Sequence, residues 1–97
     1  MIMFLPGASL TFDNAKTALD AGLQAIARGQ ADIDFSSLVT VDSAAVATML
    51  AWKRVAAAKS VVLSFRNIPD NLLSLISLYD VTALIAPNIA RADLPHH

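Results

Sequence analysis

The stretch ADIDFSSLVTVDSAAVATML, Ala31 to Leu50, decides the fold, because the period of its apolar residues changes partway along. In its first half Ile33, Phe35, Val39 and Val41 are strand formers, and Asp34 and Ser36 alternate with apolar neighbours. This predicts a central strand followed by a turn. From Ser43 to Ala58 there is no Gly or Pro and Ala dominates, which predicts the strongest helix of the chain. Asp42 or Ser43 is its natural N-cap, since a short oxygen-bearing side chain can accept a bond from a first-turn N–H.

Upstream, Met1 to Leu10 is apolar and is interrupted by Pro6-Gly7, so it reads as a strand of about five residues ending in a turn. Thr11 or Asp13 can then cap a helix whose apolar positions Phe12, Ala15, Leu19, Leu23 and Ile26 recur at three- and four-residue spacing, with Gly29 ending it. Downstream, Val61 to Phe65 reads as a second buried strand and Arg66 to Ile68 as a turn. Pro69 at a first-turn position favours a helix over Leu72 to Tyr79. Val81 to Ile85 is a candidate last strand or turn, and the tail 88–97, which ends in His96-His97, is expected to be flexible around a core of about 4–87. Alternating strands and helices of this kind predict one α/β domain, a small, mostly parallel sheet with helices packed against it.

Composition narrows the function. The chain has 97 residues, enough for one core, and is 56% hydrophobic and 15% charged against an average of about 25% charged. That excess predicts an apolar patch for a partner. No run of about 18 apolar residues is present, so no membrane insertion is expected, and no basic segment followed by a cleavage site opens the chain, which reads as cytoplasmic. Seven basic and eight acidic residues give a net charge of −1, with no cluster beyond Lys53-Arg54, which argues against nucleic acid.

Catalytic chemistry finds little to work with. There is no Cys, His occurs only at the extreme C-terminus, and Gly7, Gly22 and Gly29 are too far apart for a phosphate loop. Asp32 and Asp34 share a strand face with no cation near in sequence, and Asp42 is the remaining candidate for a carboxylate pair. No cofactor, metal site or catalytic residue is expected.

The junction Val41 to Leu50 is the most informative piece. Ser43 stands at a helix opening beside Asp42 and ahead of the small residues Ala44 and Ala45. Capping alone would account for both polar residues. The alternative is a contacted or modified hydroxyl, because the positive end of a helix stabilises a phosphate and small neighbours let another protein approach. Val46, Met49, Leu50 and Ala57 can face the sheet, while Ala44, Ala47, Thr48, Ala51, Trp52 and Val55 fill the other sides. A helix apolar nearly all round needs cover on more than one side, for which a partner surface is the simpler account. Trp52 is either a core filler or an interface anchor. Leu72, Leu73, Leu75, Ile76, Leu78 and Tyr79 give the third helix the same excess.

Ile33-Asp34-Phe35-Ser36 and Val41-Asp42-Ser43 resemble the strand, turn and helix start of STAS domains, the family of bacterial anti-sigma factor antagonists. Val61 to Val81 is similar to the family's later strand, turn and final helix, and Leu75 to Val81 resembles the helix end of the STAS subunit of Mla-type phospholipid ABC transporters. The likeness covers about Phe4 to Pro87. It implies that Ser43 holds the place of the phosphoacceptor of anti-sigma antagonists, or of the hydroxyl where the Mla subunit meets its ATPase. Asp42 is then the acid that shapes the junction, and Ala44, Ala45, Met49 and Trp52 belong to the docking face. The implied role is non-enzymatic: binding and supporting an MlaF-like ATPase subunit, itself held by a membrane permease at the inner membrane. The alternative is an anti-sigma factor antagonist switched at Ser43 by a serine kinase. Two departures stand out. Ala45 replaces the family's usual Gly, and the chain opens at what resembles the second strand, so a shortened N-terminal hairpin and an exposed edge strand are expected.

Overall fold

The computed structural model describes residues 4–79. Its elements run β1 (Ser9–Leu10), α1 (Ala15–Ala27), β2 (Asp32–Asp34), β3 (Thr40–Val41), α2 (Ser43–Ala58), β4 (Ser64–Arg66) and α3 (Asp70–Leu78). Among the described residues every pairing is parallel, and the strands form two two-stranded pairs where one small sheet was expected. β1 lies beside β3 with Ser9 opposite Thr40, β2 beside β4 with Ile33 opposite Phe65, and Phe4 bridges to Ile33. The chain is thus a small α/β domain with parallel strands, as expected. The candidate strand at 81–85, the tail and residues 1–3 lie outside the described residues.

The first strand is broken where Pro6-Gly7 predicts a break, and pairing then resumes at Ser9–Leu10, which the reading of one short strand missed. Between Phe4↔Ile33 and Ser9↔Thr40 the offset grows from 29 to 31 residues (33 − 4 and 40 − 9). Pro6 has no N–H to give a ladder, and Gly7 takes a φ of 106° that favours glycine. The second predicted strand also shifts: regular pairing covers Ser64–Arg66, not Val61 to Phe65.

α1 begins later than expected. Neither Thr11 nor Asp13 caps it; Asn14 holds the cap position, and its side chain closes the preceding turn by accepting from Thr11 N at 2.8 Å. Phe12 therefore precedes the helix and is exposed. Gly29 does end α1, at φ 88°, where Gln30 N donates to the Ala25 carbonyl and Gly29 N to that of Ile26. α3 starts at Asp70, two residues early, with Pro69 in the cap position.

α2 is the centre of the molecule. α1 and α3 both pack against it. Ala45, Val46, Thr48, Met49, Trp52 and Ala56 are all buried. This corrects the sheet-facing set, since Ala56 turns inward and Ala57 is exposed. Part of the cover that α2 needs comes from the chain itself, since α1 and α3 both pack on it and six of its sixteen residues are buried. Trp52 resolves as core: it has no exposed surface, its Nε1 donates to the Leu19 carbonyl at 3.1 Å, and it stacks near Phe35 with ring centroids 6.5 Å apart.

Candidate functional site

The Val41-Asp42-Ser43 junction sits where β3 ends and α2 begins. Asp42, in extended conformation, turns one carboxylate oxygen to Ala44 N at 2.8 Å. This is the cap bond, and it settles which of the two candidates provides it. The other oxygen accepts from Phe12 N at 3.1 Å, so one carboxylate joins the start of α2 to the turn before α1. Ser43, the first residue of α2, is exposed, and its hydroxyl has no hydrogen-bond partner among the described residues. Capping does not account for Ser43.

Beside Ser43 a groove of about 630 Å³ runs between the first turns of α1 and α2. Phe12, Ala15, Lys16 and Leu19 line one wall, and Ser43, Ala44, Ala47, Thr48 and Ala51 the other. It is apolar because alanines recur on this side of α2 and because the Thr48 hydroxyl is spent on the Ala44 carbonyl at 2.8 Å. Lys16 is the one charged residue on its walls, and it faces Asp20 at 3.5 Å in an exposed pair.

The structure divides the six residues expected at the docking face. Ser43 and half-buried Ala44 border the groove, and Asp42 fixes its end from behind. Ala45, Met49 and Trp52 have no exposed surface and cannot touch a partner in this fold. They belong to the buried core cluster, so they support the face without forming it. Sequence reading missed Phe12, Ala15, Lys16 and Leu19 on one wall and Ala47, Thr48 and Ala51 on the other. Ala47, Ala51 and Thr48 could have been found from their spacing after Ala44, but Phe12 reaches the site only through a contact across thirty positions.

The carboxylates of Asp32 and Asp34 find partners on β4 and in the turn after it. Asp32 Oδ1 accepts from Arg66 Nε at 3.1 Å, a cation supplied from 34 positions away that inspection of the local sequence could not find. Asn67 Nδ2 donates to Asp34 Oδ1 at 3.0 Å and Ser36 N donates to it at 2.9 Å. These two bonds, the Asn67 one first, hold the Asp34 carboxyl below its ordinary value by favouring the charged form. Both groups tie together the β2–β4 pair. Among the described residues no three His, Cys, Asp or Glu side chains gather where they could hold a metal, and no helix is long and apolar enough to cross a membrane.

Comparison with known families gives one match: residues 7–86 fit the family described as "Mlab, STAS domain". No curated protein and no solved structure gives a significant match. The match spans β1 to α3 and includes Asp42, Ser43 and both walls of the groove. With parallel strands and three helices among the described residues, and the Asp-Ser junction at the start of the second helix, the chain belongs to the MlaB-type STAS domain family.

Proposed function

We propose that this chain is a non-catalytic adaptor that docks, through the Ser43 end of the groove between α1 and α2, on the cytoplasmic ATPase subunit of an Mla-type ABC phospholipid transporter. Its place is then in the cytoplasm, peripheral to the inner membrane through an MlaF-like ATPase and its permease. The observation that carries the reading is Ser43 itself. In an MlaB-type domain it is exposed at the mouth of an apolar groove, and Asp42 relieves it of any capping duty. A hydroxyl placed there, flanked by alanines, suits close approach by another protein's surface.

A second reading is an anti-sigma factor antagonist switched by a serine kinase. The unengaged hydroxyl at the positive end of α2 favours it, since a phosphate there gains from the helix dipole.

The test is affinity purification of the tagged full chain from detergent-solubilised source cells, with mass spectrometry of what accompanies it. Wild type and Ser43→Ala are expected to bring down an ABC ATPase with its permease. Ser43→Trp should lose both while melting like wild type. Normal recovery of the transporter by Ser43→Trp would remove Ser43 from the docking face. A serine kinase in place of the transporter, with Ser43 phosphorylated, would select the second reading.

A further inference from the structure

We infer that the end of the domain where α1 and α2 finish is a basic contact surface for an anionic lipid bilayer: Arg28, Lys53, Arg54 and Lys59 supply the charge that attracts headgroup phosphates, and the exposed side chain of Val62 enters the interfacial layer. The contact is separate from the docking of Ser43 and does not depend on it.

In sequence only Lys53 and Arg54 are adjacent, and the fold brings two more cations to them. α1 and α2 run side by side in the same direction, since Ala15 and Lys16 face Ser43 and Ala44 across the groove and Gly22 meets Trp52 further along. Both helices therefore end on one side of the domain, with exposed Arg28 and Lys59 as their C-caps. The loops that follow are tied together, Ser64 N donating to the Ala31 carbonyl at 2.8 Å. Exposed Arg54 lies about 7.5 Å before Lys59 along α2, inside one Debye length of about 10 Å, so it adds to the same field. Lys53 Nζ is held there by the Leu63 carbonyl at 3.0 Å.

The charge at this end is unbalanced. Lys16 faces Asp20 and Arg66 holds Asp32, whereas Arg28, Lys53, Arg54 and Lys59 have no carboxylate at ion-pair distance among the described residues. Asp13 and Asp42 stand at the opposite ends of the two helices, about 24 Å away by the length of α2, where salt screens them. The partial negative charges of the helix ends account for Arg28 and Lys59 but not for Arg54, which precedes the last turn. An anionic partner accounts for all four. Val62 gives that partner its form. It is 82% exposed on the loop between Lys59 and β4, and the backbone beside it is fixed by Val61 N donating to the Ala56 carbonyl at 2.8 Å. Four cations with an apolar side chain at a loop tip, and the groove at the far end of the helices, suit a flat layer of anionic headgroups. Contact at this end turns Ser43 and the groove away from the lipid.

The test is co-sedimentation of the full-length chain with vesicles of phosphatidylcholine, alone or with about one-third phosphatidylglycerol, at low salt and at about 0.15 M. The chain is expected to partition onto the anionic vesicles only, and less at the higher salt. Arg28→Gln, Arg54→Gln and Lys59→Gln should each lower the partition about fivefold, and the triple variant should lose it. Val62→Ser should lower it severalfold. These side chains are exposed, so each variant should melt as wild type does. Lys16→Gln removes an equal charge at the far end and should leave the partition unchanged. Absence of partition, equal partition onto both vesicles, wild-type partition by the triple variant, or an equal loss in Lys16→Gln would overturn the inference. If wild type ignores both vesicles and the triple variant loses a protein that wild type brings down, the cations face an acidic protein and the lipid assignment fails. None of these results touches the docking reading, which Ser43→Trp tests separately.

Discussion

Gly22 and Trp52 claim the same space: a Cβ built on residue 22 would fall inside the indole, against Nε1 and Cε2. The contact is where α1 meets α2, and it lies beside the bond from Trp52 Nε1 to the Leu19 carbonyl. The indole cannot step back, because Phe35 is stacked near it and Phe4 meets it edge-on with ring centroids 5.8 Å apart. Gly22 is required here by packing, although glycine inside a helix weakens it.

Gly22→Ala is therefore expected to destabilise the domain. Alanine's better helix propensity returns about 1 kcal/mol, but overpacking at a site with no room exceeds it, for a net loss of about 2 kcal/mol. In a domain of this size that lowers Tm by roughly 8–16 °C. Trp52→Leu should cost less in the Gly22→Ala background than in wild type, the sign of two residues sharing one volume. A Gly22→Ala variant that melts at or above wild type would refute the close approach.

The order of elements was legible because each signal was local. The change of period within Ala31 to Leu50, the Asp at the head of the alanine-rich helix and Gly29 at the end of α1 each act over a few residues. What was misjudged depends on distant parts of the chain. Periodicity placed Phe12 on the face of α1, but the Thr11–Asn14 turn delays the helix past it. The apolarity of α2 suggested a missing partner, yet α1 and α3 both pack on it, a fact no spacing within α2 encodes. The candidate site divides the same way. Asp42 and Ser43 are neighbours in sequence and were found, whereas the groove's other wall comes from Phe12 to Leu19 and was not.

Ser60 is strained where Gly29 is relaxed. α2 ends with Val61 N donating to the Ala56 carbonyl at 2.8 Å and Ser60 N to that of Ala57 at 3.0 Å, the arrangement that also closes α1. It places Ser60 at φ 61°, in the left-handed region, which a side chain disfavours. Ser60→Gly should stabilise the domain by about 0.5–1 kcal/mol, the relief of strain exceeding the extra freedom glycine gives the unfolded chain. Urea unfolding would show this as a higher midpoint at unchanged slope. A lower midpoint would mean that the position tolerates serine without strain.

The last prediction concerns the carboxylate that closes the site. Asp42→Ala removes the acceptor for Ala44 N and for Phe12 N together. Ser43 cannot replace it, since as the first helical residue it lies past the cap position. The loss of the cap should cost about 1–2 kcal/mol, and releasing the Phe12 turn adds to this only slightly because that bond is exposed. The sharper readout is local. Amide exchange at Phe12 and Ala44 should accelerate together in Asp42→Ala, while the near-ultraviolet signal of buried Trp52 stays as in wild type. If the acceleration appears at Ala44 alone, Asp42 is a helix cap and nothing more, and the Phe12 turn is held by the Thr11–Asn14 bonds without it.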